Sequence, residues 1–166
     1  MYNAPNIIYI ATILSVALMA GLFYNWSVAV TPGLGRLNDK AYLQAMQSLN
    51  RAILNPGFFI VFLSSIFLLP INAIVQHKSG LGQRSLLFIL AAAIYLIGSV
   101  GVTFLGNVPL NNQLDVLDLN TLGDTEISQF KASYEGRWNK LNWIRTLSSL
   151  AASILLLLPL FIDPET

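Results

Sequence analysis

Arginine, asparagine and tryptophan side chains cluster at one end of the apolar runs of this chain. Arg145 stands at the start of the last long apolar run, and an arginine inside a membrane helix costs about 2.5–3.5 kcal/mol at the helix centre. Trp138, Asn142 and Arg145 follow an i, i+4, i+7 spacing and therefore share one helix face. This face can offer a guanidinium and an amide to an anionic oxygen. Because intramembrane charges are usually functional or paired, it is the first candidate for a catalytic or binding site.

The three other apolar runs carry polar side chains that reach the same membrane side, because a chain that crosses four times alternates in direction. Thr103 and Asn107 end the third run, four residues apart on one helix face. Amides are costly in lipid unless they are paired, so we expect these side chains to face inward. The first two runs contribute the other candidates at this end: Asn25, Trp26, Asn50, Arg51 and Asn55. The sequence thus predicts a shared polar site built by four chain segments.

Each of these residues also has a purely structural explanation. Asparagine and threonine hold membrane helices together, with about 0.6 kcal/mol for an average contact. Trp26, Trp138 and Trp143 are typical of the aromatic belt at a membrane surface, and Arg145 could extend to the headgroups. Because two arginines and several amides fall in one cluster, we favour a ligand or active site over this alternative.

The ionisable residues exclude several classes of protein. The chain has no cysteine, which excludes disulfides, thiolate nucleophiles and cysteine-bound metal clusters. Its one histidine, His77, falls in the short polar link at about residues 77–84 and is expected at the surface, so no metal site and no cofactor is predicted. The net charge of +1 gives no electrostatic footprint for nucleic acid. Asp115 and Glu135 could reach the cluster as bases, and the alternative for both is a solvated ion pair.

The composition predicts an all-α, polytopic membrane protein. Hydrophobic residues make up 55% of the 166-residue chain and charged residues 10%, whereas a soluble domain carries about 25% charged residues. A helix needs about 20 apolar residues to cross a hydrocarbon core of about 30 Å. Four stretches meet this requirement and predict one membrane domain over residues 1–166, a four-helix transmembrane bundle: about 7–30, 56–75, 86–105 and 143–162.

The two longer connections between spans, at about residues 31–55 and 106–142, are predicted to hold extra short helices. In the first, Asn38 or Asp39 can cap a helix that runs towards Leu54. Asn55-Pro56 then predicts a bend or a restart of the helix.

In the second long connection, Asn107-Val-Pro109 is expected to break the third helix. Gly123-Asp124 is expected to start the last one, with Asp124 as its N-cap. That helix could run from about Thr125 through the fourth span, because no glycine or proline lies between Gly136 and Pro159.

Three further expectations concern the spans. The first is expected to be retained rather than cleaved as a signal, because the N-terminus has no positive n-region and the apolar run is long. The orientation stays open, since the long connections carry more lysine and arginine while the short link has no acid. Ala17-xxx-Gly21 and Gly98-xxx-Val102 predict close packing between helices.

Four segments of the chain carry a family resemblance, in the expected order over nearly the whole length. They are GLFYNWSVAVTPG at 21–33, AMQSLNRAILNP at 45–56, NVPLNN at 107–112 and WNKLNWIRT at 138–146. These segments resemble the anthrone oxygenase-like membrane proteins, a group also termed DUF1772. The resemblance implies a four-helix membrane bundle, and some fungal members are linked to the oxidation of anthrones to anthraquinones.

Carried over by position, the resemblance implies eight site residues: Asn107, Asn111, Trp138, Asn142 and Arg145, with Asn50, Arg51 and Asn55 from the second segment. Relatives often have a histidine where this chain has Trp143. If that histidine acts as a base, this chain lacks it.

The resulting hypothesis is a cofactor-independent oxygenase or oxidase that acts on a hydrophobic anthrone-like or phenolic molecule. Arg145 would stabilise the anionic oxygen, the asparagines at 107, 111 and 142 would orient the oxygens, and Trp26 or Trp138 would stack on the ring. Asp115, Glu135 or bound water would accept the proton.

Two other classes stay open. One is a non-catalytic binder of a lipid, a quinone or another hydrophobic anion, and the other is a structural or assembly subunit. The expected partners are the lipid bilayer, a hydrophobic small molecule and a second copy of the chain, without nucleic acid. The expected location is the bacterial inner (plasma) membrane, as an integral multi-pass protein.

Overall fold

Five helices make up the fold in a computed structural model that describes residues 4–78 and 82–162. Four are long and apolar enough to cross a membrane, which confirms the all-α, four-span prediction: α1 (Ala4–Leu34), α3 (Pro56–Lys78), α4 (Arg84–Asp115) and α5 (Asp124–Phe161). Helix α2 (Asp39–Ala52) lies in the first long connection. The chain has the architecture of a multi-pass membrane protein. Residues 79–81, in the short link between α3 and α4, lie outside the described residues.

The first long connection folds as its capping residues predict. The side chain of Asn38 accepts a hydrogen bond from the backbone N–H of Ala41 at 2.9 Å and so caps α2. The side chain of Asn55 accepts one from the N–H of Phe58 at 3.1 Å, and α3 begins at Pro56. Both bonds satisfy N–H groups that a helix start leaves without a partner.

The expected break at Asn107-Val-Pro109 was wrong, because α4 continues as a helix to Asp115. The helix is π-helical over Leu96–Gly101 and again over Thr103–Asn107, and the α-helix Val108–Asp115 follows directly. Proline breaks an α-helix because it lacks an N–H and clashes with the carbonyl one turn earlier. Because the residues up to Asn107 are already π-helical, there are no regular α-helical hydrogen bonds at that point for Pro109 to break.

The last helix begins one residue earlier than predicted. Gly123 is the N-cap and Asp124 is the first helical residue. The carboxylate of Glu126 accepts the backbone N–H of Gly123 at 2.9 Å, so the cap is made by a side chain one turn into the helix. From Asp124 the helix runs without interruption through the fourth span, as predicted.

A second layer of structure covers one end of the four-helix bundle, and we call it the cap. It consists of α2, the last turns of α4 and the first half of α5, which pack around their own apolar core: Tyr42, Leu43, Met46, Leu110, Leu114, Leu119, Ile127, Tyr134 and Trp138. At its surface the ammonium of Lys131 donates to Asp39 at 3.0 Å. This bond and a second one from Ser128 lower the pKa of Asp39.

Small residues have different roles in two helices of the bundle. Helix α1 packs against α3 and α5, and α4 packs against α5. At Gly98 of α4 an added Cβ would overlap Ser148 Oγ and lie 2.7 Å from Ser148 Cβ, so the close packing predicted there is confirmed. At Gly21 of α1 an added Cβ would meet nothing within 4 Å, so the close packing predicted there was wrong.

We predict that Gly98→Ala destabilises the bundle by about 1–3 kcal/mol, the usual range for overpacking. The new methyl group must displace the backbone of α4 or α5, because Ser148 Cβ cannot rotate away. Gly21→Ala is the matched control and should leave the stability unchanged or raise it by up to about 1 kcal/mol, because alanine favours the helix. Thermal unfolding of both variants in the same detergent tests this, and equal midpoints would refute the close contact.

Candidate functional site

A cavity of about 380 Å³ lies where the bundle meets the cap. All five helices contribute to its wall. Eight of the eleven catalytic and ligand-binding residues predicted from the sequence line it: Trp26, Asn50, Arg51, Thr103, Asn107, Asn111, Trp138 and Arg145. The rest of the wall is mostly apolar and aromatic, which is the usual make-up of a small-molecule site.

Arg145 is the buried charge of this site. Its side chain is 7% exposed, and its guanidinium carbon lies 4.5 Å from the ring centre of Phe23 and 5.4 Å from that of Trp138. It donates to Asn142 at 2.6 Å and to Thr103 at 3.4 Å. Within residues 4–78 and 82–162 it has no ion pair with a carboxylate, and its Nε has no hydrogen-bond partner. A cation in this state favours an anionic group beside it.

Asn142 does not line the cavity but fixes the position of Arg145 through a hydrogen bond. Its amide oxygen accepts from Arg145, while its amide nitrogen donates to Ser27 Oγ at 2.7 Å and to the carbonyl of Phe23 at 3.2 Å. Ser27 is bonded in turn to Thr146 at 2.9 Å. The buried amide therefore has a fixed orientation that points its oxygen at the guanidinium. Ser27 and Thr146 were not singled out in the sequence, where isolated hydroxyls give no signal.

Asn107 and Asn111 belong to a second polar group, one helical turn apart on α4. Asn107 donates to the carbonyl of Trp138 at 3.3 Å, and its buried oxygen has no hydrogen-bond partner in the described part of the chain. Asn111 accepts from Trp138 Nε1 at 2.7 Å and from the hydroxyl of Tyr134 at 3.2 Å. Trp138 is thus held at its backbone carbonyl and at its indole N–H, and its ring centre lies 5.1 Å from that of Trp26.

An ion pair stands where the cavity meets the cap surface. Arg51 Nε donates to Asp115 Oδ1 at 2.5 Å, and both side chains are about half exposed, at 62% and 46%. Asp115 is the only carboxylate among the described residues that line the cavity. Glu135 does not line it and instead pairs with Lys131 at 3.8 Å, which was the alternative considered for it. No group of three or more His, Cys, Asp or Glu in the described ranges could hold a metal ion.

Two predicted ligand-binding residues stand outside the cavity wall. Asn25 is exposed on α1, and Asn55 is an exposed helix cap. Trp143 is also exposed and lies outside the wall. Asn25 and Asn55 were singled out because they stand near the polar cluster in sequence, and the resemblance also pointed to Asn55. Successive residues of a helix are rotated by about 100° around its axis, so a residue next to a site residue in sequence can point away from the site.

Part of the aromatic wall of the cavity was not predicted. This unpredicted part comes mainly from α3 and α4: Phe58, Phe59, Phe62 and Phe104. The spacing of Phe58 and Phe62 places them on one helix face, and their rings stack with centres 5.2 Å apart. In the sequence of an apolar span, these phenylalanines cannot be distinguished from lipid-facing residues. Only the polar residues of the wall therefore indicated the site.

Two π-helical segments carry part of the site. Trp26 and Ser27 lie in the π-helix Trp26–Val30 of α1. Thr103 and Asn107 are the first and last residues of the π-helix Thr103–Asn107 of α4. A π-helix holds about one extra residue per turn and changes the direction of the side chains that follow it. In this chain it brings Thr103 towards Arg145 and Asn107 towards Trp138.

We predict that Asn142→Asp lowers the affinity of the site for an anion at least about tenfold, which corresponds to about 1.4 kcal/mol. The new carboxylate would pair with Arg145 at close range and cancel its charge. Gln113→Glu is the matched control, because it adds the same charge on the exposed face of α4. Binding of the flat aromatic anion 9-anthracenecarboxylate, followed by tryptophan quenching, measures the difference, and equal affinities would argue against a free cation.

The fold and the site together define a multi-pass helical membrane protein with a buried cationic pocket. The chain belongs to the anthrone oxygenase family, whose model matches residues 43–155. The match covers α3, α4 and most of α2 and α5, and therefore most of the cavity wall. No curated protein and no solved structure matches the chain.

Proposed function

We propose that the protein is an oxygenase that uses dioxygen to oxidise a flat, hydrophobic anthrone-like or phenolic molecule. The observation that carries this proposal is the buried guanidinium of Arg145, which faces an aromatic cavity without a carboxylate partner among the described residues. Family membership supports an anthrone as the type of substrate. The proposed location is the bacterial inner membrane, with the bilayer as the surrounding solvent.

The cavity suits an anthrone in size and polarity. A volume of about 380 Å³ falls within the range of about 300–1,000 Å³ typical of small-molecule sites. Trp26 and Trp138 offer flat faces for a fused ring system. Asn107 and Arg145 both line the cavity, and in the described part of the chain the buried amide oxygen of Asn107 and the buried Nε of Arg145 have no hydrogen-bond partner.

The chemistry begins with a proton transfer. An anthrone carries an acidic C–H opposite its carbonyl, and loss of that proton gives an anion delocalised onto the carbonyl oxygen. Arg145 would stabilise this oxyanion by a charge-assisted hydrogen bond, which is worth most in a site that excludes water. We assign the proton acceptor to Asp115, because it is the one carboxylate that lines the cavity in the described part of the chain.

The electron-rich anion then reacts with dioxygen. A C–O bond forms at the carbon that lost the proton, and the resulting peroxide takes a proton to become a hydroperoxide. Loss of water breaks the O–O bond and the remaining C–H bond, which leaves a second carbonyl. One anthrone and one dioxygen give one anthraquinone and one water. The substrate supplies the electrons, so the chain has to bind, orient and deprotonate.

Oxygen uptake by the protein in lipid vesicles tests the proposal. With 1,8-dihydroxyanthrone we expect uptake well above the spontaneous rate, with one dioxygen consumed for each anthraquinone formed. Vesicles without the protein give the spontaneous rate. Tight binding without uptake would replace the oxygenase with a non-catalytic binder of hydrophobic anions, and neither binding nor uptake would leave a structural subunit.

A further inference from the structure

The cavity has two rims of opposite character. Arg51, Asn112 and Asp115 form a polar rim on the cap side. On the other side the lining includes apolar side chains of the spans that are themselves exposed, among them Leu63 at 45% and Phe104 at 55%. An exposed apolar residue within a membrane span faces lipid. The cavity wall therefore continues onto the lipid-facing surface of the bundle.

The apolar rim lies where α3 and α4 separate. Helix α3 packs closely against the first part of α4, up to Tyr95, but has few contacts with the later part of that helix. The later part, from Leu96 to Asn107, packs against α5 instead. The gap that results is crossed by one aromatic pair, Phe62 and Phe104, whose ring centres are 6.0 Å apart.

The side chains at this gap are able to move apart. Phe62 is buried and stacks on Phe58, whereas Phe104 is more than half exposed. A single aromatic contact contributes only about 0.5–1.5 kcal/mol, so rotation of the Phe104 ring opens the gap at little cost. The polar rim, by contrast, is held by an ion pair and by two bonds from Gln47 to the carbonyls of Leu114 and Leu117.

We propose that the cavity takes up its ligand sideways from the bilayer, through a portal between α3 and α4 that Leu63 and Phe104 flank. The ligand is then a molecule dissolved in the membrane, with a water-insoluble ring system and one ionisable oxygen that reaches Arg145. A water-soluble conjugate of the same ring is not a ligand. The identity of the ring compound rests on the proposed function, whereas the route of entry rests on the cavity alone.

A cysteine placed inside the cavity reports the route of entry without any substrate. The chain has no cysteine of its own, and Val108 lines the cavity, so Val108→Cys gives one thiol at the site. The full chain is reconstituted in phosphatidylcholine vesicles and labelled either with N-pyrenylmaleimide, which dissolves in the bilayer, or with a sulfonated maleimide, which stays in water. The ratio of the two labelling rates is the measured quantity.

Three tryptophan substitutions in this background separate the routes. Leu63→Trp narrows the portal, Asn112→Trp narrows the polar rim, and Leu147→Trp is the matched control, because Leu147 is an exposed leucine of α5 away from the cavity. Tryptophan is tolerated on the lipid-facing surface near an interface. Phe104→Ala serves as the opposite change, because it removes the ring that crosses the gap.

We expect Leu63→Trp to slow labelling by the bilayer-soluble reagent about tenfold and Phe104→Ala to accelerate it, as for a gated entrance. Asn112→Trp and Leu147→Trp should leave that rate unchanged. The portal is refuted if Asn112→Trp slows both reagents while Leu63→Trp slows neither, since entry would then be from water. Failed anthrone turnover with the expected labelling pattern would overturn the oxygenase and leave the portal standing.

Discussion

Replacing Arg145 by methionine is expected to abolish anthrone turnover, with a loss of at least about 100-fold, the usual effect of removing one donor to an oxyanion. The variant should still fold and insert. Arg145 is a buried cation without a carboxylate partner in the described residues, and methionine removes its desolvation cost while it keeps most of the packing against Phe23 and Trp138. The melting temperature should therefore stay equal or rise. Oxygen uptake and thermal unfolding of the same preparation measure both effects.

Loss of turnover without a lower melting temperature distinguishes an arginine that acts in function from one that only stabilises the structure. If Arg145 only stabilised the bundle, Arg145→Met would lower the melting temperature and turnover together. Arg145→Lys keeps the charge but loses the planar fork, and it should recover part of the binding. Full activity of Arg145→Ala would remove the anion role and, with it, the proposed chemistry.

Asp115→Asn is expected to lower kcat by about 100-fold or more, which is the range for loss of a general base. The amide oxygen can still accept the hydrogen bond that Arg51 donates at 2.5 Å, so the cap should keep its structure. Binding of 1,8-dihydroxyanthraquinone should also be unchanged, because the product needs no deprotonation. Stopped-flow oxidation and equilibrium binding together give kcat and affinity for the variant.

The control for Asp115 is the other acid that the sequence offered. Glu135 pairs with Lys131 at 3.8 Å and lies outside the cavity wall, so Glu135→Gln should change kcat by less than about twofold, as expected for a partly exposed ion pair. A large effect of Glu135→Gln with a small effect of Asp115→Asn would exchange the two roles. Equal, small effects would make bound water the proton acceptor.

The sequence was sufficient to predict the spans and most of the polar wall. Arg145, Asn107 and Trp138 were recognisable because polar groups are rare and costly in apolar runs, so their positions restrict which helix faces can be inward. The alternating direction of four spans then brings those faces to one end. These arguments need only composition and helical periodicity, and the structure confirms the helices on which they rest.

The aromatic side of the cavity and the continuity of α4 were beyond such reasoning. Phe59 and Phe104 are apolar residues among many, and only tertiary packing decides which of them line a space. The expected break at Pro109 failed because two π-helical segments precede it, and no simple residue pattern announces a π-helix. Asn25 was selected by its neighbours in sequence, while its direction was set by the register of α1.

The unbroken course of α5 constrains how chains of this kind can vary in length. Its 38 residues extend about 57 Å at 1.5 Å per residue, nearly twice the thickness of a hydrocarbon core. One residue inserted between Lys131 and Arg145 would rotate the guanidinium by about 100° relative to the first half of α5, which belongs to the cap. The guanidinium would then point out of the pocket. Gains and losses of residues should therefore fall in the non-helical segment 116–123, where they leave that rotation unchanged.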